Sequence, residues 1–117
     1  QNTAWARLTD LNLSDNQIGD RGAVALAENS SWKNLKRLFL RSNKISDEGA
    51  KGIGSNTAWM KLKGLFLYKN QIGDRGAVAI GSNNTWKALR CLELDDNMIG
   101  DEGAEAIGLN TIWINLG

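Results

Sequence analysis

A 27-residue unit recurs along this chain without one insertion or deletion, and that recurrence limits what the chain can fold into more than any other feature. Tryptophan stands at Trp5, Trp32, Trp59, Trp86 and Trp113. The same step is kept by Asn16, Asn43, Asn70 and Asn97, by Ile18, Ile45, Ile72 and Ile99, by Asp20, Asp47, Asp74 and Asp101, and by Gly22, Gly49, Gly76 and Gly103. Self-similarity at such a period belongs to stacked-repeat architectures, in which one unit cannot bury its apolar face alone and does so against its neighbours. The chain divides into four full repeats at 1–27, 28–54, 55–81 and 82–108 and a partial fifth at 109–117, all within a single domain, 1–117. A longer period overlies the first. Residues 1–54 and 55–108 agree at 31 of 54 positions, whereas the second and third repeats agree at 14 of 27, the pattern left when a two-repeat block is copied.

Residues 62–89, one unit and the first leucine of the next, show what each repeat builds. Leu62, Leu65 and Leu67 follow L-x-x-L-x-L, with Asn70 and Ile72 behind them. The alternation in Leu65-Phe66-Leu67 predicts a short strand with its leucines inward. Gly73 and Asp74 end the strand, and Asp74 is expected to cap the helix that follows. Ala77, Ile80 and Gly81 then share one helical face, and the helix is expected to stop near Gly81 or Asn83, residues that tolerate a left-handed terminal conformation. Strands sit about 4.8 Å apart, whereas packed helices need about 8–10 Å. The stack is therefore expected to curve, with a concave parallel β-sheet inside and short helices on the convex side. The asparagine column follows the strand, where an amide satisfies backbone groups left unpaired by the turn, including those of adjacent repeats. The tryptophan column lies between helix end and next strand and closes the gap between layers. Proline, which would remove an N–H from the ladder, is absent.

The unit L-x-x-L-x-L-x-x-N-x-I-G-D-x-G-A-x-A-I-G resembles the ribonuclease-inhibitor-like class of leucine-rich repeats, as found in NOD-like receptors and bacterial effectors. The resemblance covers essentially the whole chain. It implies an α/β leucine-rich-repeat solenoid, a right-handed α/β horseshoe of 27-residue repeats, and protein–protein recognition through the concave face. It transfers no particular ligand. Tryptophan stands where many members of that class carry leucine, and the unit is slightly shorter than usual.

Beside the leucines, the x positions point out of the sheet. They are Asp10, Asn12, Ser14 and Asp15 in the first repeat, and Arg37, Phe39, Arg41 and Ser42 in the second. In the third they are Gly64, Phe66, Tyr68 and Lys69, and in the fourth Cys91, Glu93, Asp95 and Asp96. The framework barely changes while the set of residues at these positions differs from repeat to repeat. Phe39, Phe66 and Tyr68 are expected to form an aromatic patch between Arg37 and Arg41 on one side and Glu93, Asp95 and Asp96 on the other. Aromatic residues and arginine dominate binding hot spots. The candidate protein-binding residues are thus Arg37, Phe39, Arg41, Phe66, Tyr68, Glu93 and Asp95. The competing explanation is that the two phenylalanines only stack on each other across strands. Four strands span about 15–20 Å, which suits a peptide, a helix or a loop as the protein or peptide ligand.

Other chemistries find little support. Histidine is absent and Cys91 is the single cysteine, so neither a nucleophile–base pair nor a cysteine metal cluster can be assembled, and no enzyme and no cofactor is expected. Glu93, Asp95, Asp96, Asp101 and Glu102 read as a solvated acidic edge rather than a calcium site. Lys33, Lys36, Arg37, Arg41 and Lys44 form a basic patch, yet a net charge of +1 gives no pull toward nucleic acid or membrane. No apolar run approaches the ~20 residues of a membrane span. The chain shows no signal-peptide pattern at its start, and the sequons at Asn12, Asn29 and Asn83 follow from its richness in Asn, Ser and Thr. Neither end carries a polar cap, and Ile112, Trp113, Ile114 and Leu116 are more apolar than their counterparts. The alternative function is therefore a self-assembling or designed repeat scaffold, a homo-oligomer stacked end to end through uncapped termini.

Overall fold

The computed structural model describes residues 7–110 and Trp113. Trp5 and the apolar Ile112, Ile114 and Leu116 lie outside the described residues. Strand and helix alternate four times: β1 (Asp10–Asn12), α1 (Asp20–Ala27), β2 (Arg37–Phe39), α2 (Asp47–Gly54), β3 (Gly64–Phe66), α3 (Asp74–Gly81), β4 (Cys91–Glu93) and α4 (Asp101–Gly108). The strands form one parallel sheet in chain order, β1-β2-β3-β4. Each pairing is offset by one repeat, so Leu11, Leu38, Leu65 and Leu92 stand side by side. The third strand begins one residue earlier than the alternation predicts, and the ladder runs on beyond it through Leu40 N–H to Phe66 O and Ser42 N–H to Tyr68 O.

The core lies between this sheet and the helix layer. Leu35, Leu38, Leu40, Ile45, Ile53, Leu62, Leu65, Leu67, Ile72 and Ile80 are fully buried in it. Helix meets helix closely because small residues stand at the contact. A Cβ placed on Gly54 would lie 2.6 Å from the Ala79 carbonyl oxygen, and one on Gly81 would lie 2.8 Å from that of Ala106. The tryptophan column is buried as expected, with Trp86 stacked on Trp113 at 6.4 Å. The indole N–H groups of Trp59, Trp86 and Trp113 are buried without an acceptor. Each forgoes about 1–3 kcal/mol, so these three indoles stabilise the stack by apolar area and shape.

The polar columns work between repeats. Asn43 Oδ1 accepts the N–H groups of Asn16 and Ile18 in the preceding repeat, while its Nδ2 donates to the carbonyls of Leu13 and Leu40. Asn70 repeats this toward Ile45, Leu40 and Leu67, and Asn97 toward Ile72, Leu67 and Leu94. A second asparagine column follows the helices. Asn56, Asn83 and Asn110 donate to the carbonyls that end the preceding repeat's helix, Ala27, Gly54 and Gly81. Their Oδ1 atoms accept the N–H of Trp59, Trp86 and Trp113. Asn83, a sequon asparagine in sequence terms, is therefore a buried structural residue.

Two local expectations are corrected by the structure. The aspartates open their helices as the first helical residue and make no cap bond to their own helix, whose N-cap is Gly19, Ser46, Gly73 or Gly100. Asp20 instead accepts the N–H of Ser46 and Gly49, Asp47 those of Gly73 and Gly76, and Asp74 those of Gly100 and Gly103. Each carboxylate caps the helix of the next repeat. The glycine column leaves room for this: a Cβ on Gly76 would sit 2.9 Å from Asp47 Oδ1 and 2.8 Å from Ile72 Cγ2 and Ala50 Cβ. Second, the helices end in right-handed residues, Glu28, Ser55, Ser82 and Leu109. The left-handed backbone is found just after the strands, at Asp15, Ser42, Lys69 and Asp96, where φ is 55–61° and the chain leaves the sheet ahead of each column asparagine.

Burial raises the Asp20 pKa, but hydrogen bonds from the Ser46 hydroxyl and the N–H groups of Ser46 and Gly49 outweigh it and leave it below its ordinary value of 3.8. A carboxyl depressed in the folded state stabilises the fold above its unfolded pKa and loses that contribution as pH falls through the folded one. Chemical denaturation should therefore show Asp20→Asn differing from the parent near neutral pH, with the difference shrinking at pH values below 3.8. Asp47→Ala should cost about 1–2 kcal/mol, with amide protection lost at Gly73 and Gly76 in the next repeat. Lys69→Gly should raise stability by about 1 kcal/mol in the same assay, because an L-residue is strained at this φ.

Candidate functional site

The leucines of the strands face the helices, so the alternate side chains stand on the open face of the sheet in rows set by the register. One row is Asp10, Arg37, Gly64 and Cys91, and the next is Asn12, Phe39, Phe66 and Glu93. Arg41, Tyr68 and Asp95 follow two residues further on, where Ser42 N–H and Lys69 N–H continue the ladder to the Tyr68 and Asp95 carbonyls.

Phe39 and Phe66 stack face to face, with centroids 4.5 Å apart and planes within 5°. Such a pair contributes about 0.5–1.5 kcal/mol beyond its buried area. The stack depends on Gly64. Phe66 lies back along its own strand, and a Cβ on Gly64 would fall 2.6 Å from Phe66 Cε2. Where the other three repeats carry Asp10, Arg37 and Cys91, the third carries no side chain, and the ring occupies that room.

Arg41 crosses over the pair. Its guanidinium carbon lies 4.9 Å from the Phe66 ring centre and 5.5 Å from that of Phe39, within range of the attraction between a cation and an aromatic face. It reaches on to Glu93, two repeats away, with Nε 2.6 Å from Oε1 and Nη2 3.1 Å from Oε2. This hydrogen bond is the main reason the guanidinium is held still more firmly protonated than usual. Arg37 pairs with Asp10 at 3.4 Å, both side chains about half exposed. Tyr68 is exposed, and so are Asp95 and Asp96.

All seven candidate residues thus share one face. The structure brings Phe39, Arg41, Phe66 and Glu93 into a single cluster, with Tyr68 and Asp95 beside it and Arg37 at the other end of the strands. The cross-strand stack weighed as a competing explanation is present. It does not bury the face, because both rings stay only partly buried beneath Arg41. The charges do not flank the aromatics as two separate groups: Arg41 and Glu93 meet across them. Ser14 Oγ, also on this face, accepts the Arg41 N–H. Gly64 is the site residue that reading by side-chain type missed. Its signal was available, as the one glycine in a row otherwise filled by larger residues. Glu93 is held by Arg41, and among the described residues no three acidic or cysteine side chains converge as metal ligands.

A family model described as "Leucine Rich repeat" matches residues 8–27, 33–54, 61–81 and 88–108. No curated protein matches the chain. Among solved structures, the fold is similar to one titled "Leiomodin-1 Actin-Binding Site 2 (ABS2)". The two share 24% identity at a TM-score of 0.71, over 93% of this chain and 69% of the other. A likeness at that identity speaks for the fold.

Gly64→Ala should displace the Phe66 ring from Phe39. In proton NMR spectra the ring-current shifts of the two rings should collapse toward random-coil values while the amide pattern of the helices persists. Retention of those shifts would contradict the role given to Gly64.

Proposed function

The chain belongs to the leucine-rich repeat family, and from that premise we propose that it is a protein-binding module whose sheet face takes a peptide, a helix or a loop of a partner protein. The residues assigned to this role are Arg37, Phe39, Arg41, Phe66, Tyr68, Glu93 and Asp95. The observation that carries the reading is the contrast between a frame repeated residue for residue and an open sheet face on which every repeat differs. Aromatic rings and an arginine, the side chains that dominate binding energy, lie at the centre of that face. The Arg41–Glu93 pair keeps both charges hydrogen-bonded before a ligand arrives, so the rings are held in place and little side-chain order is left to be imposed on binding.

The reading is non-enzymatic. No histidine is available as a base, and Cys91 has no second cysteine beside it. The structural neighbour's title names an actin-binding site, which accords with a repeat frame used for recognition. Which segment this chain takes depends on its own sheet-face side chains.

Panning a random peptide library against the chain tests the assignment, with selected peptides measured by fluorescence anisotropy. The double variant Phe66→Ala/Tyr68→Ala should bind them about tenfold more weakly or worse, with unchanged far-UV circular dichroism. Arg75→Ala, on the exposed side of α3, should bind as the parent does. Peptides that bind the double variant at parental affinity would place recognition elsewhere.

A further inference from the structure

The net charge of +1 conceals a sharp division. Beyond the helix C-caps Glu28, Ser55 and Ser82, the segments that lead into the strands hold Arg7, Lys33, Lys36, Lys61, Lys63, Lys87 and Arg90. Over residues 7–9, 29–36, 56–63 and 83–90 there is not one aspartate or glutamate. Half of the fourteen basic residues thus lie here, and all thirteen acids lie elsewhere. The register puts these segments along one edge of the repeat stack. Lys63 N–H donates to the Lys36 carbonyl and Arg90 N–H to that of Lys63, so Lys36, Lys63 and Arg90 are direct backbone neighbours, about 5 Å from strand to strand.

Like charges at facing positions of adjacent strands oppose folding. No ion pair offsets this: among the described residues, the ion pairs are Arg37–Asp10, Arg41–Glu93 and Lys51–Glu48, and none involves the edge, where Lys61 Nζ donates to the neutral Asn34 Oδ1 at 2.8 Å. Met60 takes the repeat position of Lys33 and Lys87 and is 54% exposed among these cations.

We propose that this strand-entry edge is a second recognition surface, for an acidic segment of a protein partner that carries an apolar side chain at its centre. The acidic residues meet the row of cations and the apolar one meets Met60. The proposal extends the protein-binding reading from the sheet face to an adjoining surface. Three observations favour a polypeptide over other polyanions. The cations stand in short columns across the four repeats, about 15–20 Å in all, the length of one short peptide segment. The rest of the chain carries seven basic residues against thirteen acids, which repels a large polyanion approaching on a broad front. The aromatic residues of these segments, Trp32, Trp59 and Trp86, are buried, so no ring is offered for stacking with nucleic-acid bases.

The test uses a fluorescein-labelled synthetic peptide of glutamates around one central leucine, and the same peptide with serine in place of leucine. Anisotropy at low salt should show binding of the leucine peptide that weakens as salt is added, and weaker binding of the serine peptide. Lys33→Glu/Lys63→Glu/Lys87→Glu/Arg90→Glu should reduce affinity at least about tenfold. The milder Lys63→Gln/Arg90→Gln, which leaves every backbone hydrogen bond in place, should move it in the same direction. Phe66→Ala/Tyr68→Ala should leave it unchanged, so that a failure at the edge and a failure at the sheet face are told apart. The proposal is overturned if neither peptide binds, or if the edge variants bind as well as the parent. It is equally overturned if phosphatidylserine vesicles or a DNA duplex bind in an edge-dependent way more tightly than the leucine peptide.

Discussion

Asn70 accepts the Ile45 N–H with its amide oxygen and donates from its amide nitrogen to the carbonyls of Leu40 and Leu67, so one buried side chain ties the turns of two repeats together. The same is done by Asn43 and Asn97 along the sheet side and by Asn56 and Asn83 along the helix ends. Asp20, Asp47 and Asp74 work in the opposite chain direction, each capping the helix that follows. A helix of eight residues does not hold itself together in water, and a three-residue strand needs the rest of a sheet. Every element here is too short to stand alone, and the side chains that complete it belong to the adjacent repeat.

That arrangement explains why the frame is so invariant. The asparagine and aspartate columns each answer to a neighbour 25 to 30 residues away, so changing one disturbs two repeats. Apart from Asn12 and Ser14, which accept backbone N–H groups, the outward positions are not tied to these columns, and there the chain differs from repeat to repeat. The sheet face gathers an aromatic pair beneath an arginine–glutamate bridge, and the strand-entry edge gathers cations. Both surfaces are held in place by backbone that the interior columns have already fixed.

Much of this was legible in the sequence because a fixed period turns one-dimensional spacing into spatial adjacency. Trp59 and Trp86, 27 residues apart, had to occupy equivalent places, and Phe39 and Phe66 had to be cross-strand neighbours. What spacing could not give was the direction of a side chain. Asp74 sits where a helix begins and was read as its cap, yet its carboxylate turns to Gly100 and Gly103, because its own N-cap and third residues are already served by Asp47. Gly81 and Asn83 both tolerate a left-handed terminus, yet Gly81 is small to admit the Ala106 carbonyl and Asn83 is spent on the Gly54 carbonyl. The left-handed turn falls on Lys69, a residue type that gives no hint of it. Arg41 and Glu93 were placed on opposite sides of the aromatics. Only the reach of a long guanidinium across a ring that Gly64 lets lie flat brings them together. The basic edge was hidden by averaging, since a net charge counts residues without asking where the repeat puts them.

The central claim is that each repeat is completed by its neighbour's side chains, and hydrogen exchange on Asn70→Ala tests it most directly. The account predicts that the Ile45 amide, in the repeat before the substitution, loses protection at least as strongly as the amides of residues 64–81. Loss confined to the substituted repeat, with Ile45 still protected, would contradict it.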